Sequence, residues 1–159
     1  MSVAGHFECC CCEVFVNKTQ LKIVCVNSPP SRDSDIFIDK VEELLSIYCK
    51  NNIVFIAGDF NIDFLDGSAK KTVDFIGLLK SYRFEFVVKE HTRVTRESKT
   101  CVDNIITNLE GDMFTEVREF HISDHKSQKL TFCLITTNIP KQLEKRVFSD
   151  DNIFFLLKC

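Results

Sequence analysis

The sequence has no tryptophan and only two tyrosines, so its aromatic core must be built from its 15 phenylalanines. It also lacks any apolar run near the roughly 20 residues that a membrane-spanning helix needs. The longest such runs, for example residues 53–57, are the size of a strand. The opening residues carry neither a basic region nor an apolar segment of the secretory kind, which points to an intracellular protein with no membrane partner. An excess of basic charge is missing too, the formal net charge being −3. Phosphate neutralisation supplies most non-specific affinity for nucleic acid, so any contact with DNA has to come from local patches.

A disulfide framework is absent in the same sense. The nine cysteines are odd in number and follow no repeating spacing. Cys9 and Cys12 have the C-x-x-C spacing of a zinc ligand pair, but no second pair follows. Free cysteine packs as a small hydrophobe, so the run Cys9-Cys10-Cys11-Cys12 is expected to belong to a buried strand over residues 7–16.

What is present fits one globular domain. The chain has 159 residues, with 45% hydrophobic and 27% charged. A second strand is expected over 20–26, joined to the first by a turn at Asn17-Lys18-Thr19. Pro29-Pro30 ends that sheet segment, and Phe37, Val41, Leu44, Leu45 and Tyr48 follow at helical spacing. Residues 53–57 read as a strand buried on both faces. A second helix is expected with Val73, Ile76 and Leu79 on its buried stripe. Shorter strands are expected at 84–88, 102–107, 114–120 and 129–135. Strands that bracket helices early and run consecutively later indicate a layered α/β sandwich. From Pro140 onward the sequence reads as a helical tail beyond the domain.

Three segments carry residues suited to chemistry: Gly58-Asp59-Phe60-Asn61 after the apolar strand, Thr100-Cys101-Val102-Asp103-Asn104-Ile105-Ile106-Thr107-Asn108 around the next strand, and Ser123-Asp124-His125 before the last strand. Each alone has an ordinary structural explanation as turn, surface or cap. Together they supply what phosphodiester hydrolysis requires. A carboxylate can take the proton of the attacking water, while His, Asn and a divalent cation offset the charge growing on the phosphate. A further carboxylate on one imidazole nitrogen fixes the ring.

The order and wording of these segments resemble the endonuclease/exonuclease/phosphatase superfamily, in particular the apurinic-endonuclease-like domain of non-LTR retrotransposons. The stretch "DIFIDKVEELLSIYCKNNIVFIAGDFNIDFL" and the segment "HTRVTRESKTCVDNIITN" carry the resemblance, which covers about residues 7–136. It implies a metal-dependent endonuclease that nicks DNA during retrotransposition. Asp59 then corresponds to the general base and Asn61 to the residue that orients phosphate or water. His125 corresponds to the phosphate-contacting histidine, Asp103 to the carboxylate that orients it, and Asp124 to a residue at the metal. The cofactor implied is Mg²⁺ or Mn²⁺, the partner DNA, and the location nuclear where retrotransposition proceeds.

The resemblance also implies departures. The family's opening strands, with an Asn and a metal-binding Glu, have no counterpart here, and Asn27 stands where a Tyr contacts phosphate. Residues 1–138 are thus expected to form a partial domain missing its first strands, and residues 139–159 a connector tail. In a full-length element, upstream endonuclease strands and a downstream reverse transcriptase would accompany them. Impaired activity follows, and two other readings stay open: a non-catalytic remnant that at most binds DNA or protein, and a phosphatase of small substrates. Finally, Lys89, His91, Arg93, Arg96 and Lys99 form a mixed-charge stretch that is either a solvated hairpin or a DNA-backbone contact. The resemblance favours DNA contact by Arg93, Arg96 and Lys99.

Overall fold

The computed structural model describes residues 2–3, 7–29, 34–48, 52–119 and 123–134; the expected tail from Pro140 lies outside them. Strands β2 (Phe7–Val16) and β3 (Thr19–Asn27) form the expected hairpin, with β1 (Ser2–Val3) paired only to the Phe7–Glu8 end of β2. Asn17 and Lys18 at the tip have φ of 49° and 68°. A two-residue connection with both φ positive matches the right-handed twist of its strands, and Asn is among the residues that tolerate it best.

After β3 the chain runs through helix α1 (Ser34–Tyr48) and returns as β4 (Ile53–Asp59), parallel to β3. Helix α2 (Lys70–Ser81) follows, then β5 (Glu85–Phe86), the short hairpin of β6 (Arg93–Val94) and β7 (Lys99–Thr100), and β8 (Asp103–Thr107). β8 runs antiparallel to β4, which completes a six-stranded sheet in the order β1-β2-β3-β4-β8-β5. The last hairpin, β9 (Met113–Arg118) with β10 (Ser127–Phe132), forms a sheet of its own.

Alternation along the strands divides the side chains between two faces. Val24, Val26, Val54, Ile56 and Ile106 point to the helical side, where they meet Phe37, Val41, Leu44 and Leu45 of α1 and Phe75 and Leu79 of α2. Phe37 sits at the middle of this core, its ring centroid 5.7 Å from Phe7, 6.2 Å from Phe60 and 5.9 Å from Phe75. Fully burying one such side chain is worth about 1.5–3 kcal/mol, so this phenylalanine cluster is a main source of stability. On the opposite face Phe55 stacks on Phe132, with centroids 4.8 Å apart, and this contact lays the β9–β10 hairpin across the sheet. The result is the layered α/β arrangement that the element order indicates.

Two expectations need correction. The buried stripe of α2 is Thr72, Phe75 and Leu79, while Val73 is 52% exposed. The packing follows the phenylalanine, the largest apolar side chain in the helix, and turns Val73 away by one position. The cysteine-rich strand forms but is not buried: beyond Phe7 and Cys9 every residue of β2 is exposed. Its place in the strand order is the reason. Among the described residues the outer edge of β2 has a partner only at Phe7 and Glu8, and α1 covers its neighbours rather than its far half.

Candidate catalytic centre

β4 and β8 end side by side, and their register sets Asp59 directly opposite Asp103. The same row continues across the sheet to Asn27 and Glu8, whose side chains share a 3.3 Å hydrogen bond. The row lies at the end of the sheet from which the loops emerge. Gly58 makes the Asp59 position possible. Its φ is +151°, and a Cβ there would overlap the Val26 carbonyl oxygen of the neighbouring strand. Only glycine lets β4 approach β3 so closely immediately before the carboxylate.

The loop after β4 is fixed to the segment leading into β8. The Phe60 amide donates to the Val102 carbonyl at 2.9 Å, and the Phe64 amide to that of Cys101 at 3.0 Å. Phe60 and Phe64 bury their rings in the core, which anchors the loop from below. Asn61, between them, has φ of 47°, a left-handed conformation that Asn adopts at little cost. Its amide donates to Asp59 Oδ1 at 2.9 Å, and its side-chain amide donates to the Ser28 carbonyl at the end of β3. Asn61 therefore holds the Asp59 carboxylate and ties it to the adjacent strand.

The third segment is clamped from the β6–β7 hairpin. Val94 donates to the Asp124 carbonyl at 3.0 Å, and Lys126 donates to the Thr92 carbonyl at 2.7 Å. The hydroxyl of buried Thr92 accepts from the Asp103 amide at 3.0 Å. This bracketing brings His125 Nδ1 against Asp103, where it donates to the two carboxylate oxygens at 2.9 and 3.1 Å. Among the described residues, Asp59, Asp103 and His125 form the one group of three whose ligand atoms all lie within 4.8 Å of one another.

Burial raises the Asp59 carboxyl above the ordinary aspartate range; the Asn61 amide works against the shift, and the neighbouring Asp103 charge adds to it. Asp124 is not part of the cluster. Its carboxylate accepts from Arg93 Nε at 2.7 Å, and that bond holds its proton affinity below the usual range. Arg93, expected as a DNA contact, is thus engaged within the chain. Arg96 lies exposed at the tip between β6 and β7. Lys99 lines a groove of about 460 Å³ together with Lys89, His91 and Lys126, and with Glu90 and Glu119.

Several residues here had no role assigned from the sequence. Thr92 joins Asp103 to the His125 segment. Asn104 is fully buried and holds the Val88 backbone on both sides, accepting from its amide and donating to its carbonyl at 3.0 Å each. Thr107 and Asn108, the "TN" of the motif, bond to Val54 at the opposite end of β8. Buried polar side chains of this kind satisfy backbone groups that the sheet leaves unpaired. The only hint in the sequence was the density of Thr and Asn among apolar neighbours.

No family model matches the sequence, and no curated protein matches it. Solved structures do. The endonuclease domain of TRAS1, a telomere-specific non-LTR retrotransposon, superposes with a TM-score of 0.62 at 12% identity, over 77% of this chain and 59% of that one. An endonuclease/exonuclease/phosphatase family protein from Leptotrichia buccalis gives 0.63 at 15% identity, over 79% and 53%. The 3′ phosphatase NExo from Neisseria, bound to a product DNA hairpin, gives 0.55 at 15% identity, over 78% and 65%. The chain thus spans little more than half the length of the first two. Its fold is that of the endonuclease/exonuclease/phosphatase structures.

Proposed function

We propose that this chain carries a metal-dependent phosphodiester hydrolase centre acting on DNA, and that its role is the nicking step of retrotransposition. The observation that supports this reading best is the Asp59–Asp103–His125 cluster, assembled from three separate segments at the loop end of the sheet. Two carboxylates beside one imidazole are a hard, anionic donor set, and such oxygens suit Mg²⁺ or Mn²⁺. Burial chiefly, and the Asp103 charge beside it, raise the proton affinity of Asp59, and a cation would offset both. Asp59 and Asp103 are the residues that would hold it. When bound, it would supply Lewis-acid stabilisation of the phosphate's developing charge.

The chain's own side chains account for the remaining steps. Asp59, aligned by the Asn61 amide, accepts the proton of the attacking water at a carboxylate oxygen. His125, with Nδ1 held by Asp103, has Nε2 left to donate to a phosphate oxygen. Asp103 fixes the ring, and Thr92 fixes Asp103. Asp124, which the sequence resemblance assigned to the metal, acts in this reading through Arg93, and the pair holds the segment that carries His125. Arg96 and Lys99 project where a DNA backbone could pass. The role in retrotransposition rests on the sequence resemblance and on the likeness to the TRAS1 domain. A nuclear setting, and upstream endonuclease strands and a downstream reverse transcriptase in a full-length element, rest on the sequence resemblance. Among the described residues no helix is long and apolar enough to cross a membrane.

The test is nicking of supercoiled plasmid with Mg²⁺ or Mn²⁺, comparing the wild-type chain with Asp59→Ala and His125→Ala. Loss of one preorganised charge-stabilising donor costs roughly 10²–10³ in rate, and each substitution is expected to act on that scale. Because a proton and the cation would compete for the Asp59 carboxylate, nicking should fall as the pH is lowered into the acid range. Nicking that survives both substitutions would remove the assignment. A non-catalytic remnant is the second reading, favoured by the Arg93–Asp124 pair and by Asn27 bonding to Glu8 in the same row. It is told apart by cation binding without any nicking.

A further inference from the structure

Cys10 of β2 and Cys25 of β3 stand directly opposite each other in the antiparallel ladder. Opposed residues share a face of the sheet, and Cys10 is near enough to Cys25 to raise its proton affinity. Both residues are exposed. Cys9 and Cys11 point to the other face, and Cys12 lies opposite Ile23 rather than a cysteine. Cys101 is different in kind: it is buried, and burial pushes its thiol up to about 11, so it stays protonated and inert.

We propose that Cys10 and Cys25 are a reversible oxidation site, closing to a cross-strand disulfide under peroxide. In the first step the Cys10 sulfur attacks the peroxide O–O bond, becoming a sulfenic acid and releasing one water. In the second the Cys25 sulfur displaces the hydroxyl, the S–S bond forms, and a second water leaves with the Cys25 proton. Two thiols are oxidised by two electrons, and one peroxide is reduced to two waters. Burial, and the neighbouring Cys10, raise the proton affinity of Cys25, so it is the less readily ionised thiol and is assigned the second step rather than the attack on peroxide.

The strand geometry allows closure. Directly opposed Cβ atoms in an antiparallel pair are about 4.5–5.5 Å apart, and a disulfide needs about 3.5–4.5 Å. The strands must draw together slightly at this point. Among the described residues the outer edge of β2 is paired only as far as Glu8, which leaves the strand room to shift. A solvent-exposed disulfide of this kind belongs to the readily reduced class, so the bond should reopen under a cellular thiol. It would also pin β3 two residues before Asn27, which lies beside Asp59 in the row at the sheet end. The oxidation itself does not depend on the hydrolase assignment.

The experiment is treatment of the full chain with hydrogen peroxide, followed by proteolysis without reductant and tandem mass spectrometry. The expected result is an intrachain Cys10–Cys25 link that disappears after reduced glutathione. Cys10→Ser should leave Cys25 without an intrachain partner, whereas Cys11→Ser should keep the link. The wild-type map stands alone if a variant fails to fold. Cys25 found free in the oxidised protein, or linked only between chains, would overturn the proposal. So would an intrachain Cys25 link that persists in Cys10→Ser.

Discussion

Around Asp103 the backbone amides of Asp103, Val88, Cys101 and Asn61 have side-chain partners, supplied by Thr92, Asn104, Asp63 and Asp59 respectively. Around Cys12, four residues into the hairpin's outer edge, β2 turns its side chains to solvent and, among the described residues, has β3 as its strand partner. Both regions belong to the same sheet and are built from similarly apolar stretches of sequence. They differ in what lies above and beside them. The β4–β8 end has α2, the loop of residues 60–64 and the β6–β7 hairpin packed around it, while β2 beyond Glu8 has, among the described residues, a strand neighbour on one side. Rigidity is therefore concentrated at the row that carries the candidate centre. A catalytic constellation needs that placement, since small displacements of positioned groups cost large factors in rate.

Substitutions should divide along the same line. Phe37→Ala removes the ring at the meeting point of Phe7, Phe60 and Phe75, and is expected to cost about 3–5 kcal/mol in chemical denaturation. A loss under about 1 kcal/mol would mean that this cluster is looser than its packing implies. Asn104→Ala leaves the Val88 amide and carbonyl buried without their side-chain partner. It should cost about 1–3 kcal/mol and weaken the attachment of the 84–88 segment, read as faster hydrogen exchange there. Phe15→Ser lies at the other extreme: Phe15 is 69% exposed, so its removal should change stability by no more than about 0.5 kcal/mol. A large loss in that variant would show that the outer strand is packed against something in solution, and the contrast between the two regions would fail.

Much of this contrast could not be read from the sequence. The Phe7–Val16 and Thr19–Asn27 hairpin, both helices and the central strand were legible, because alternation, helical spacing and turn residues act locally. Asp59, Asn61, Asp103, Asp124 and His125 were named together from the chemistry of phosphate cleavage; of these, Asp59, Asp103 and His125 come within 4.8 Å of one another, while Asp124 is bonded to Arg93. Which face of α2 is buried was not, since Val73 and Phe75 are both apolar and only the tertiary partner, the phenylalanine cluster, decides between them. The exposure of the cysteine strand was likewise hidden: a run of small hydrophobes specifies a strand but not its place in the sheet order. The Arg93–Asp124 pair lay beyond reach for a third reason. It joins residues 31 apart in the chain, and neither carries a mark of its partner.

The claim on which the account turns is that Asp59, Asp103 and His125 act as one centre while Asp124 stands outside it. Mn²⁺ binding, followed by electron paramagnetic resonance on the wild-type chain and on Asp59→Asn, Asp103→Asn and Asp124→Asn, addresses it most directly. One bound Mn²⁺ per chain is expected, with affinity lost about 10–100-fold or more in the first two variants and changed only slightly in the third. Binding that survives Asp59→Asn and Asp103→Asn but collapses in Asp124→Asn would contradict it.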